Sequence, residues 1–268
     1  MSPGANASPF RPCAVVPVYN HGSTALAVSR GLAALGLPII LVDDGSRAET
    51  KAALAEVARL VPGTELLTLP ENLGKGGAVM AGLSRAREAG YTNALQVDAD
   101  GQHELGKAPA FLEASRADPG ILVAGAPVYD ESAPASRLAG RKITNFWVAV
   151  ETLSCDIVDA MCGFRLYPVE AVLRASRGAP MSRRMGFDIE ILVRLHWRGV
   201  RMRFLPVKVI YPEGGTSSFR MLEDNVLISL THTKLFFGML LRSPLLIWRA
   251  ASRAVARGRA GVDATGRS

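Results

Sequence analysis

The feature that most constrains this chain is an alternation of short runs rich in Val, Ile and Leu, each bounded by turn residues, with stretches of helix length. Cys13 to Val18 (CAVVPV) and Pro38 to Val42 (PIILV) are too short for helices, and they are apolar throughout rather than at every second position. Strands apolar on both faces belong to a parallel sheet covered by helices on both sides. The Ala/Leu stretch Ser23 to Leu35 between them is long enough for the crossover helix. The series continues: Ser46 and Glu49 form an S-x-x-E capping box opening a helix to about Leu60, ended by Pro62-Gly63. A strand at Glu65 to Leu69, a Gly-rich turn at Asn72 to Gly77, a helix to about Ala89 and a strand at Ala94 to Val97 follow.

Beyond Gly101 the pattern loosens. It predicts a helix near Ala108 to Arg116, a strand at Ile121 to Ala124 and a Pro/Ser-rich loop from Pro127 to Ser136. Helices are expected at Leu138 to Leu153, Val169 to Ala175 and Phe187 to Trp197, with a last strand near Arg203 to Val209. The expected fold is therefore α/β, a mostly parallel sheet flanked by helices, with the main domain over residues 13–222. Residues 1–12 read as a loose arm and residues 223–268 as an amphipathic, basic extension.

Length and composition set outer bounds. With 268 residues and 49% apolar content the chain is neither disordered nor a small fold dependent on staples. Three Cys, an odd number at no metal-like spacing, argue against a disulfide framework and a zinc site and point to a reducing, cytoplasmic setting. The first 12 residues hold no apolar stretch of the kind a secretory signal needs. Apolar residues crowd Val226 to Trp248, but Lys234 and Arg242 interrupt them, and a spanning helix wants about 20 mostly apolar residues, so no transmembrane segment is expected.

Of the net charge of +7, nearly all lies at the end of the chain: from Lys234 to Ser268 there are seven basic residues and one acidic residue. An apolar and basic segment on a near-neutral body suits a peripheral position on an anionic membrane surface, here the inner face of the cytoplasmic membrane. The alternative is a core helix followed by a solvated tail. No base-reading motif or aromatic interleaving accompanies the charge, so nucleic acid is not an expected partner.

In an open parallel α/β sheet, ligands bind beyond the carboxyl ends of the strands. The polar clusters fall at those ends: Tyr19-Asn20, Asp43-Asp44, Asn72 to Gly76, and Asp98 to His103. Asp98-Ala99-Asp100 ends an apolar strand with two carboxylates, and Gln102 adds a third oxygen donor. Mg²⁺ or Mn²⁺ suits such a set, because hard divalent cations take one or two carboxylates together with substrate phosphates. Gly74-Lys75-Gly76-Gly77 fits neither the Walker nor the dinucleotide-binding pattern, which weakens the kinase, GTPase and dehydrogenase readings.

Four ordered motifs, Pro17-Val18-Tyr19-Asn20, Asp43-Asp44-Gly45-Ser46, Asn72-Leu73-Gly74-Lys75-Gly76 and Asp98-Ala99-Asp100-Gly101-Gln102-His103, resemble those of the family two glycosyltransferases of GT-A fold. Within them the chain is most similar to the dolichyl- or polyprenyl-phosphate sugar synthases, whose D-x-x-S-G-F-R segment resembles Asp159 to Arg165, with Cys162 in place of Ser. The resemblance implies that Pro17, Tyr19 and Asp44 hold the base and ribose of a UDP- or GDP-sugar, with Asp43 in support. It places metal and diphosphate on Asp98, Asp100 and Gln102. Asn20, Lys75, Ala99 and Arg141 complete the expected nucleotide-sugar-binding set. Gly214 to Ser218 only loosely matches the group's G-x-S acceptor loop.

The implied reaction is metal-dependent displacement at the anomeric carbon with inversion, moving a sugar onto a membrane-lipid acceptor such as polyprenyl phosphate. The metal would neutralise the departing nucleoside diphosphate, aided by cations among Arg137, Arg141, Arg165 and Arg220. A lipid phosphate is already anionic and attacks unaided, whereas a hydroxyl must lose a proton to a carboxylate. Asp188 is the expected base in that second case, and Asp159 and Arg165 complete the expected catalytic set. His103 and His196 read as supporting residues. Two other readings stay open: transfer to a hydroxyl of a glycolipid, and a non-catalytic nucleotide-binding membrane adaptor.

Overall fold

A computed structural model describes residues 10–129, 135–209 and 221–265. The first half is built as the apolar runs dictate: β1 (Pro12–Val18), α1 (Gly22–Ala34), β2 (Ile39–Asp43), α2 (Ala48–Leu60), β3 (Thr64–Thr68), α3 (Lys75–Glu88) and β4 (Asn93–Gln96). Then come α4 (Ala108–Ala117), β5 (Leu122–Val128), α5 (Ala135–Thr152), β6 (Arg165–Pro168), α6 (Val169–Ser176), α7 (Gly186–Trp197), β7 (Met202–Lys208) and α8 (Met221–Thr265).

The seven strands form one sheet in the order β3-β2-β1-β4-β6-β5-β7. All are parallel except β6, which runs antiparallel to both β4 and β5. This mixed, mostly parallel α/β sheet agrees with the expectation. One apolar cluster, with Leu32, Leu54 and Phe111, lies under α1, α2 and α4; the other, with Leu83, Val172, Ile191 and Leu235, lies under α3, α6, α7 and α8.

Two local expectations are corrected. Ser46 does not cap α2: its hydroxyl accepts the Asn20 N–H at 3.1 Å, its own N–H donates to Asp43 Oδ1 at 2.9 Å, and the helix starts two residues later without a side-chain cap. Strand β6, where the expected set had none, buries the polar sequence RLYP completely.

The C-terminal helix has two apolar faces. At 100° per residue, Ile228, Leu235, Met239 and Leu246 fall on one side and are buried against the body. Val226, Leu230, Phe237, Leu241 and Trp248 fall on another and are exposed, Leu241 by 84%. The stretch Leu235 to Leu241 is thus divided between the two. Ring contacts through Phe146, Trp147, Phe236 and Phe237, with centroids 5.8, 6.4 and 5.9 Å apart in turn, join this exposed stripe to exposed apolar residues on α5. Among the described residues no helix is long and apolar enough to cross a membrane.

Candidate active site

The register of the sheet lines up the carboxyl ends of the first strands. Val18 pairs with Asp43, and Asp43 with Thr68, so the loops after β1, β2 and β3 share one rim. Asp43 is fully buried, with Oδ1 accepting the Ser46 N–H, so it shapes its own turn. Asp44 is also buried; its Oδ1 accepts the Leu73 N–H at 2.7 Å, tying the loop after β2 to the one after β3. Burial pushes its carboxyl above the ordinary range against the pull of the Leu73 and Gly74 N–H groups. Tyr19 stands 46% exposed, and Pro17 is half-buried beside it. Asn20 sits at φ +57° and accepts the Arg47 N–H, binding two loops together.

The centre of the rim is a half-buried cluster that no local sequence pattern announces. Lys75, the first residue of α3, places its ammonium 2.9 Å from Asp98 Oδ2 and 2.9 Å from Asp188 Oδ2. The turn after β4 and the start of α7 therefore meet on one cation. Burial works against that charge, but the two carboxylates prevail and hold Lys75 above the usual lysine range. Burial likewise opposes ionisation of Asp98, and Lys75 and His103 together overcome it, keeping the carboxyl well below the usual range. His103 Nε2 stands 3.8 Å from Asp98 Oδ2, a neighbour the sequence signals only by closing the Asp98-to-His103 motif.

Gly163 lies directly against this pair: a Cβ there would collide with Asp98 Oδ2 and come within 2.8 Å of Lys75 Nζ. Gly74, at φ +79°, brings α3 equally close to Arg183. The N–H groups of Gly76 and Gly77 both donate to the Arg183 carbonyl, at 2.7 and 3.3 Å. The Gly-rich turn therefore spends its N–H groups on the chain itself rather than on a phosphate.

Three of the expected catalytic and clamping residues are engaged with the chain itself. Arg165 is 0% exposed and turned inward beneath Asp188: it donates to the Asp188 carbonyl at 2.7 Å and the Ala160 carbonyl at 2.9 Å, and lies 3.5 Å from Asp188 Oδ1. It braces Asp188 from beneath. Tyr167 and Gln96 extend that support, the phenol donating to Gln96 Oε1 at 3.1 Å. Asp159 is committed to its own turn, accepting the Met161 and Cys162 N–H groups, and to Arg141 at 2.5 Å. Arg141 in turn lies over the Tyr129 ring, 5.4 Å from its centroid. Arg137 and Arg220, the loop Gly214 to Ser218 and most of the N-terminal arm fall outside the residues whose side chains are described.

Asp98 Oδ1 is buried and has no hydrogen-bond partner, as is His103 Nδ1. Asp100 is half-buried with Oδ1 accepting the Gln102 N–H, which leaves its second oxygen uncommitted. Thr24 Oγ1 clamps the Ala99 carbonyl at 2.5 Å between the two aspartates. Among the described residues no three His, Cys, Asp or Glu side chains gather into a closed cage. A hard cation that keeps sites for substrate phosphate needs only one or two carboxylates, so the residues present fit it.

A mostly parallel sheet with paired aspartates at the end of a central strand forms an α/β crevice, and comparison with known proteins gives the family. The model of the family described as Glycosyl transferase family 2 matches residues 13–173, and the chain belongs to that family and is a glycosyltransferase. It is 26% identical over 224 residues to an undecaprenyl-phosphate mannosyltransferase of Micrococcus luteus, covering 78% of this chain and 87% of the relative. It is 32% identical over 164 residues to a dolichyl-phosphate beta-glucosyltransferase of Dictyostelium discoideum, covering 58% of this chain and only 49% of that longer protein. The fold is shared with glucosyl-3-phosphoglycerate synthase of Mycobacterium tuberculosis, solved with Mn²⁺ and UDP-glucose. That match has a TM-score of 0.61 at 16% identity and covers 86% of this chain and 79% of the other.

Proposed function

We propose that this glycosyltransferase moves a sugar from a nucleoside diphosphate to the phosphate of a polyprenyl-type lipid at a membrane surface, by direct displacement with inversion. The observation that carries the reading is the convergence of Asp98 and Asp188 on Lys75, with Asp98 Oδ1 left without a partner. The named lipid-phosphate relatives support the acceptor class, and mannosyl- and glucosyl-transferring relatives both occur, which leaves the sugar open.

Asp98, Asp100 and Gln102 would hold Mg²⁺ or Mn²⁺, which when bound supplies Lewis-acid neutralisation of the leaving diphosphate. Asp44, with Tyr19 and Pro17 on the same rim, would receive the base and ribose of a UDP- or GDP-sugar. Asp188 faces two cations, Lys75 Nζ at 2.9 Å from one oxygen and Arg165 at 3.5 Å from the other. Both of its oxygens are thus engaged by cations of the chain. That favours an acceptor that arrives already ionised. Its role here is to fix Lys75, and through it Asp98, in place. The exposed stripe of α8 and the basic residues that follow support a peripheral position on anionic lipid.

Two measurements test this. Incubating the full chain with radiolabelled nucleotide-sugars and either polyprenyl phosphate or a neutral glycolipid should label the phosphate; label only in the glycolipid overturns the acceptor class. Calorimetry with UDP and GDP should show nucleotide binding strengthened by Mn²⁺ in the wild type and not in Asp100→Asn, with transfer abolished and the fold intact. Full turnover by Asp100→Asn would refute the cation site.

A further inference from the structure

A donor with its ribose at Asp44 and its leaving phosphates at a cation on Asp98 has to lay its diphosphate along the turn between them. That turn is Leu73 to Lys75: the Leu73 N–H donates to Asp44 Oδ1 at 2.7 Å, and the Lys75 ammonium stands 2.9 Å from Asp98 Oδ2. Negative charge grows on those phosphates as the sugar leaves, so a free cation over the turn would stabilise the departure. The cations that the sequence offers nearby are already engaged. Lys75 is held by Asp98 and Asp188, Arg141 by Asp159, and Arg165 by the Asp188 and Ala160 carbonyls. The Gly76 and Gly77 N–H groups are engaged as well, by the Arg183 carbonyl.

Arg184 is different. It is exposed, and its guanidinium has neither an ion pair nor a hydrogen bond among the described residues. Its stem lies over the turn, because a Cβ on Gly74 would come within 3.0 Å of Arg184 Cγ and 2.6 Å of the Arg183 carbonyl oxygen. Gly74 thus leaves the room that residue 184 occupies. The two hydrogen bonds from Gly76 and Gly77 to the Arg183 carbonyl, at 2.7 and 3.3 Å, fix where that residue enters. The charge is also felt at the far end of the turn: burial raises the Asp44 carboxyl, the Leu73 and Gly74 N–H groups pull it down, and Arg184 adds to that pull. An arginine from the segment before α7 therefore stands over the loop that joins Asp44 to Lys75. No local pattern in the sequence marks it.

We propose that Arg184 grips the diphosphate of the nucleotide-sugar, its guanidinium meeting the phosphate oxygens above the Leu73 to Lys75 turn. The assignment rests on the nucleotide-sugar reading above. A planar guanidinium fork matches phosphate oxygens two at a time, which an ammonium does not. With no partner in the free protein, Arg184 can take up the phosphates without breaking an ion pair.

Arg184→Gln keeps the stem over Gly74 and removes the charge. Calorimetry of the full chain with Mn²⁺ and UDP or GDP should show the Kd of the diphosphate that the wild type binds rising about 10- to 100-fold in this variant, the scale of a lost charged hydrogen bond. The matching nucleoside, uridine or guanosine, read by competition, should bind as it does to the wild type, and thermal unfolding should be unchanged. Arg184→Lys should recover part of the loss. If the wild type binds a diphosphate and Arg184→Gln binds it within twofold as well, the Arg184 assignment alone fails. If nucleoside affinity falls as far as diphosphate affinity, Arg184 supports the Asp44 loop instead of the phosphates and the proposal is overturned. If the wild type binds neither UDP nor GDP, the nucleotide reading fails and takes Arg184 with it.

Discussion

Asp188 and Glu190 stand two residues apart on α7 and leave the helix in nearly opposite directions, each into a cluster of charges. The clusters are built to different standards. Around Glu190 every oxygen is used: Oε1 faces Lys234 at 2.7 Å and Arg194, and Oε2 accepts the Ser182 N–H at 2.8 Å and hydroxyl at 2.6 Å. Around Asp188 the cations are shared and the hydrogen bonding is incomplete: Asp98 Oδ1 has no hydrogen-bond partner, and Asp188 Oδ1 has only the Arg165 guanidinium at 3.5 Å. A closed cluster pins elements together; here it fixes α8 and the Ser182 segment to α7. An unfilled buried acceptor carries a standing desolvation cost that a ligand can relieve, which is why we take the open cluster as the candidate site.

The contrast can be broken most directly at Gly163. A methyl group there meets Asp98 Oδ2 and Lys75 Nζ, the movable ends of side chains, so Gly163→Ala should displace the pair without unfolding the sheet. Turnover should fall about 10²- to 10³-fold, the scale expected when one preorganised electrostatic element is lost, while thermal unfolding shifts little. Wild-type kcat in this variant would show that the open cluster is not where the chemistry depends on geometry.

The closed cluster should behave the opposite way. Glu190→Ala leaves Arg194 and Lys234 without their shared carboxylate, and breaking a buried pair from one side costs about 3 kcal/mol where one partner is partly exposed. Denaturant unfolding should show that loss, and turnover per folded molecule should fall far less than in Gly163→Ala. A stability unchanged within error would mean that Glu190 is replaceable and the closed cluster does not hold α8.

How much of this was legible beforehand follows the same division. Strands β1 and β2 announced themselves because a strand buried on both faces has no choice but a continuous apolar run. The aspartates at the strand ends were equally plain, being polar groups where the apolar runs stop. Strand β6 was not, because Arg165 and Tyr167 look like surface residues until Asp188, 23 positions later, closes over them. The bridge from Lys75 to Asp188 spans 113 positions and exists only because topology sets α3 beside α7. Ser46 and Glu49 have the spacing of a cap, yet Asn20 from another loop claims the hydroxyl. Local pattern reads what backbone periodicity enforces; it does not read partnerships formed by chain crossing.

The smallest expected effect sharpens the comparison through pH. Burial would raise the Glu190 carboxyl, but Lys234, Ser182 and Arg194 outweigh it and hold the pKa below the ordinary glutamate value. A carboxyl whose pKa is lower folded than unfolded stabilises fully above the unfolded value of about 4.3, and the contribution disappears as pH falls through the folded value. The stability difference between wild type and Glu190→Gln should therefore be constant from neutral pH to about pH 5 and shrink below it, measured by urea unfolding at fixed ionic strength. Because Lys234 is partly exposed, added salt should trim the difference without removing it. A difference that stays flat down to pH 3 would mean the cluster holds by packing and neutral hydrogen bonds, and the distinction drawn between the two sides of α7 would then rest on Asp98 and Asp188 alone.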